Sequence, residues 1–139
     1  MLKRIVYEQQ SRETKMKQYI KEHQVGNLAQ CNQVYQLIRL HERYGGYFFS
    51  KDSMSFFSSR VHSDVYGGCV FVTSEKNNSA YHEYPRLYTV RYMDSTGNTH
   101  TADEFQSFGT RSKAHTFAKN LGEYITATRV RAMTGIQFE

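Results

Sequence analysis

Residues 87–125, LYTVRYMDSTGNTHTADEFQSFGTRSKAHTFAKNLGEYI, decide the fold. Tyr88, Val90 and Tyr92 alternate with Thr89, Arg91 and Met93, the period of two that gives a strand two distinct faces. Asp94 to Asn98 has the composition of a tight turn, with Gly97 free to take the positive φ such a turn needs, and the chain can return over Asn98 to Ala102 as a partner strand. Phe105 and Phe108 follow as apolar anchors. Thr110 stands where a helix N-cap belongs, and Ala114, Phe117, Ala118, Leu121, Tyr124 and Ile125 recur at the i, i+3, i+4, i+7 spacing of one helix face. A ββα unit of this kind must bury one face of its sheet.

Upstream, Asn27 with Gln30 makes a capping-box-like start, and Leu28, Cys31, Val34, Tyr35, Ile38 and His41 share one face of a helix of about four turns. Gly45 and Gly46 end it. In the next stretch, GGYFFSKDSMSFFSSRV (residues 45–61), Tyr47 to Phe49 reads as a short strand and Ser50 as a cap. Asp52 falls in a first helical turn, and Met54, Phe57 and Val61 form a stripe that packs aromatic side chains on the sheet. HSDVYGG (62–68) reads as a loop and Cys69 to Val72 as a buried strand. Glu75 to Tyr84 is a polar loop closed by Pro85, and its Tyr81 and Tyr84 are candidates for partner contact. The pattern after Ile125 fits an extension of the last helix or an edge strand.

The expected architecture is α+β. N-terminal helices precede a three- to four-stranded, mainly antiparallel sheet, with a short helix and a C-terminal helix packed on one face. Residues 1–26 read as an N-terminal helical arm, rich in Lys and Arg, and residues 27–139 as a single α+β domain.

Composition narrows function. The chain has 139 residues, 14% of them aromatic with no Trp, and a net charge of +5. That charge permits contact with nucleic acid or an acidic protein and argues against a DNA mimic, which needs a dense field of carboxylates. Cys31 and Cys69 lie far apart and outside any C-x-x-C spacing, so neither a disulfide scaffold nor a zinc site is expected. The N-terminus turns polar at once, and no run reaches the roughly 20 apolar residues of a membrane span. A soluble protein of the cytoplasm is expected, with no cofactor and no metal.

No phosphate-binding loop, dinucleotide fingerprint, zinc-protease motif or nucleophile elbow occurs. His62 and Asp64, two apart, offer an imidazole and a carboxylate that a small nuclease or hydrolase could use, but no third ligand follows at a recognisable spacing. No enzymatic activity is expected. Binding has more support. Tyr88, Arg91 or Tyr92 could present from a sheet face, and Arg111, Lys113 and Lys119 from the start and exposed side of the helix. Aromatic rings with Arg suit base stacking, and basic residues at a helix start suit phosphates.

Phe108, Thr110, Arg111, Ala114, Phe117 and Ala118 give this ββα unit a grammar that resembles the arm-binding domain of phage tyrosine integrases. The order from Met54 to Ile125, with Ser112-Lys113 opening the last helix, is similar to a double-stranded-RNA-binding domain. Residues 45–125, with GYFFSKDSM near their start, resemble small phage and prophage accessory proteins. That resemblance implies an anti-defence role of the anti-CRISPR kind, in which the protein inhibits a host nucleoprotein by direct binding. A DNA- or RNA-binding module is the alternative it leaves open.

Overall fold

A computed structural model describes residues 25–77 and 85–134. Residues 1–24 of the expected arm, and residues 78–84 of the polar loop with Tyr81 and Tyr84, lie outside the described residues. A 3₁₀ turn, Val25–Asn27, precedes helix α1 (Val34–Arg43) and helix α2 (Lys51–Phe56). Strands β1 (Arg60–Val61), β2 (Val70–Lys76), β3 (Arg86–Met93) and β4 (Thr99–Thr101) then form an antiparallel sheet in chain order, and helix α3 (Arg111–Thr134) closes the fold. The architecture is α+β, as the pattern of strands and helices predicts.

The two faces of the sheet follow from the β2–β3 register. Val70, Val72 and Ser74 pair with Tyr92, Val90 and Tyr88, while Phe71, Thr73 and Glu75 pair with Arg91, Thr89 and Leu87. The first face lies under α3, which packs Ala114, Phe117, Ala118, Leu121 and Ile125 inward. The second carries a ladder of polar residues, and the segment around α2 covers it: Phe49 meets Phe71, and Phe48 lies against Arg91. Both faces are therefore buried, and the molecule has three layers.

Local chemistry sets the boundaries. Gly97 takes φ +81° in the β3–β4 turn, where Asp94 Oδ1 accepts from the backbone N–H of Thr96 and of Asn98, each at 3.0 Å. Thr110 Oγ1 accepts from Lys113 N, so the expected cap opens α3. The tail continues α3 to Thr134.

Four boundaries differ from the sequence reading. The strand expected over Cys69 to Val72 runs from Val70 to Lys76, so Glu75 and Lys76 belong to it and not to the polar loop. The helix expected from Asn27 begins only at Val34, with its capping box at Gln33 and Gln36. Residues 27–29 hydrogen-bond the end of β3 instead: Ala29 N donates to Met93 O at 3.1 Å and Ser95 N to Asn27 O at 2.7 Å, which leaves no backbone groups for a helix. Tyr47 to Phe49 is a turn rather than a strand. Val61 belongs to β1 rather than to the stripe of α2, because Ser58 at φ +49° has already ended the helix.

Two interior ties hold these parts in place. His41, on the shared face of α1, is buried. Its Nδ1–H donates to Gly97 O at 2.6 Å and its Nε2 accepts from Phe48 N at 2.9 Å, so one neutral imidazole joins α1, the β3–β4 turn and the Phe48–Phe49 segment. Arg129, on α3, donates to the carbonyl of Ala29 and to that of Gly67. Cys31 and Cys69 are both free thiols, and Cys69 is core.

Candidate functional site

Four polar side chains, Thr73, Glu75, Thr89 and Arg91, are buried on the second sheet face. Glu75 is fully buried and accepts from Thr73 Oγ1 at 2.5 Å, Thr89 Oγ1 at 2.9 Å and Arg91 Nη2 at 3.1 Å. Arg91 Nε also donates to Thr73 Oγ1 at 2.8 Å. Each carboxylate oxygen is thus occupied, which is the condition for an ion pair to survive burial.

The guanidinium of Arg91 is the floor of a groove. Its Cζ lies 4.8 Å from the centre of the Phe48 ring and 5.9 Å from that of Phe105, within the range of cation–π attraction. Phe57 links the walls, 4.6 Å from Phe56 and 5.0 Å from Phe105 between ring centres. The groove has a volume of about 640 Å³ and is lined in addition by Tyr47, Met54 and Asp52. Tyr47 and Phe56 are each 77% exposed and Phe105 44%. Three large rings around one concavity form a contiguous apolar surface, not the scattered single exposures normal for a protein surface.

A second cluster lies on the α3 side, near the outer edge of the sheet. His62, just beyond β1, and His115, in the second turn of α3, stack with ring centres 5.0 Å apart, and Nδ1 of His62 lies 2.8 Å from Nε2 of His115. Tyr66 OH lies 2.8 Å from Nδ1 of His115, and the Tyr88 ring meets His62 edge-on. Burial, then the neighbouring His115, Arg111 and Arg86, push His62 down to about 4 against the pull of Asp64; burial and Arg111 push His115 down as well. Both imidazoles are therefore neutral at pH 7, and the 3.8 Å approach of Asp64 to His115 is no ion pair there. Burial also pushes the Tyr66 phenol up. A neutral imidazole pair can donate, accept or relay a proton.

The candidates read from sequence fall in different places. Arg111 and Lys119 are exposed on α3 and, eight residues apart with His115 midway, share one side of the helix. Lys113 is exposed on another side. Arg91 is about nine-tenths buried in the ion pair and reaches the surface only as the groove floor. His62 and Asp64 do come together, but with His115 and Tyr66, which their sequence positions gave no reason to select. Among the described residues no group of three or more His, Cys, Asp or Glu is placed to hold a metal ion, and no helix is long and apolar enough to cross a membrane.

Residues 33–119 match the model of a protein family described as a family of unknown function, DUF7447. The match spans well over half of the chain, so the chain belongs to that family. The matched span runs from the cap of α1 into α3 and contains both the groove and the histidine pair. No curated protein and no solved structure matches the chain.

Proposed function

We propose that this member of the DUF7447 family is a non-enzymatic accessory protein that acts by docking, with the aromatic groove as its contact surface. Its target is a nucleoprotein of host defence, as the resemblance of residues 45–125 to phage accessory proteins of the anti-CRISPR kind implies. The observation that carries the docking reading is the groove itself. Tyr47, Phe56 and Phe105 stand exposed around a guanidinium fixed by a buried carboxylate, and exposed aromatic rings around an Arg are the composition of interface hot spots. Phe56 and Phe105 both pack against Phe57, which limits the ordering entropy those two rings lose on binding.

The test is target-DNA cleavage by a panel of purified CRISPR effector complexes, with and without the purified protein. Near-stoichiometric inhibition of at least one complex, relieved by Phe56→Ala and Tyr47→Ala, is the expected result. Failure to bind or inhibit any complex removes the target assignment. Inhibition unaffected by both substitutions removes the groove.

A second reading, a DNA- or RNA-binding module, is favoured by one observation. The first turn of α3 holds Arg111 and Lys113 and no acidic residue. It predicts oligonucleotide affinity that falls steeply with salt and is lost on Arg111 and Lys113 substitution.

A further inference from the structure

Independently of the groove, three guanidinium groups and the two imidazoles converge beside the start of α3. Arg60 and His62 come from β1 and the residue after it, Arg86 from the first position of β3, and Arg111 and His115 from α3. Arg86 donates to Ser74 Oγ and to the carbonyls of Ser58 and Ser74, none of which carries a charge. The groups facing His62 are Asp64 and Tyr66 from its own loop, Tyr88 and Arg86 from β3, and Arg111 and His115 from α3. Asp64, more than half exposed, is the one carboxylate among them. Arg111 moreover occupies the end of a helix where the dipole disfavours a cation. Concentrated like charge of this kind costs stability unless an anion offsets it.

The hydrogen-bond chain determines what the histidine pair offers such an anion. The Tyr66 phenol is the stronger acid and imidazole the better acceptor, which assigns the phenol as donor to Nδ1 of His115. His115 then carries its proton on Nε2 and donates to Nδ1 of His62. His62 is left with its proton on Nε2, and that N–H has no hydrogen-bond partner among the described residues.

We infer that this face binds a phosphate group, held by Arg60, Arg86 and Arg111 and by the Nε2–H of His62. Guanidinium N–H donors arriving from three elements, with Arg86 left to donate from Nη1, match the several oxygens of a phosphate better than the two of a carboxylate. Arg86 and Arg111 help to keep His62 neutral and Arg111 does the same for His115, and a bound anion opposes that field, so phosphate binding draws a proton onto the pair. The phosphate can belong to a nucleic-acid backbone or to a small phosphorylated molecule; the chemistry is shared.

The test follows the imidazole resonances by NMR while inorganic phosphate, a nucleoside 5′-monophosphate, or single- or double-stranded oligonucleotides are added to the full chain. Chloride at matched ionic strength is the control. Phosphate is expected to raise the titration midpoint of His62 by about one pH unit, which by linkage weakens its binding about tenfold as the pH rises from about 4 to about 6. Arg111→Gln, an exposed position where the fold is retained, is expected to weaken binding about tenfold. His62→Phe is expected to abolish the pH dependence, with circular dichroism confirming that the variant is folded. Oligonucleotides that bind more tightly than the monophosphate identify the nucleic-acid backbone as the source, and the reverse order identifies a small ligand; both support the site. No difference from chloride, or a pH dependence that survives His62→Phe, overturns it.

Discussion

Arg91→Met removes the only cation hydrogen-bonded to Glu75 among the described residues, and the structure gives the size of the effect. Glu75 is fully buried, and after the substitution its carboxylate keeps only the hydroxyls of Thr73 and Thr89. Breaking a buried pair in this way costs about 3–5 kcal/mol. Glu75→Gln should cost less, about 1–3 kcal/mol, because the amide oxygen can still accept from Thr73 and Arg91 while its NH2 group turns to donate to Thr89 Oγ1, and the charge of Arg91 lies at the groove and against two aromatic rings. The Glu75→Gln/Arg91→Met double variant leaves no buried charge and should be more stable than Arg91→Met alone by about 1–2 kcal/mol. Urea denaturation followed by far-UV circular dichroism measures all four proteins. Single variants whose costs simply add, or an Arg91→Met variant within about 1 kcal/mol of wild type, would refute the claim that the pair is mutually dependent and organises the groove floor.

Further predictions concern the packing, the histidine pair and the thiols. At Gly122 a Cβ would meet Tyr66 Cβ at 2.6 Å and Gly67 N at 2.8 Å. Gly122→Ala should therefore destabilise by about 1–3 kcal/mol despite Ala's better helix propensity, as read by thermal melting. Because His62 is held down to about 4 in the folded protein and titrates near 6.5 when unfolded, the unfolded chain binds the extra proton between these values. Stability should thus fall as the pH drops from about 6.5 to about 4, by about 1–2 kcal/mol once solvent screening of this half-exposed group is allowed for, and His62→Phe should flatten that slope in urea titrations. Burial pushes Cys69 up to about 12, so the native protein should show a single thiol reactive toward a disulfide reagent, Cys31, with Cys69 reacting only after unfolding.

The parts of the fold legible in the sequence were those set by short-range pattern. Alternation over Tyr88 to Met93, the turn at Gly97 and the stripe from Ala114 to Ile125 each depend on neighbours within a few residues, and all three stand where the pattern places them. The start of α1 was not legible, because the backbone of residues 27–29 is used by a strand end more than 60 residues away. The candidate sites were harder still. Tyr47 reads as part of a short strand and Phe56 as a neighbour of the packing stripe, and nothing local says that their rings stay exposed. Glu75 reads as the first residue of a polar loop, although β2 carries it into the interior beside Arg91. His62 and His115 lie 53 residues apart and meet only because the loop after β1 folds back onto α3 over Gly122. Sequence spacing detects metal and catalytic motifs that lie on one element; it is silent on pairs assembled by topology.

The central claim is that the groove is the docking surface. Its most direct test is the affinity of wild type, Phe56→Ala and Arg111→Gln for a nucleoprotein complex that the protein inhibits, measured at low and at near-physiological salt. The account predicts a loss of about tenfold or more for Phe56→Ala at both salt concentrations, with little change for Arg111→Gln. Affinity that is indifferent to Phe56→Ala, falls steeply with salt and is lost on Arg111→Gln would contradict it and make the basic face beside α3 the contact surface instead.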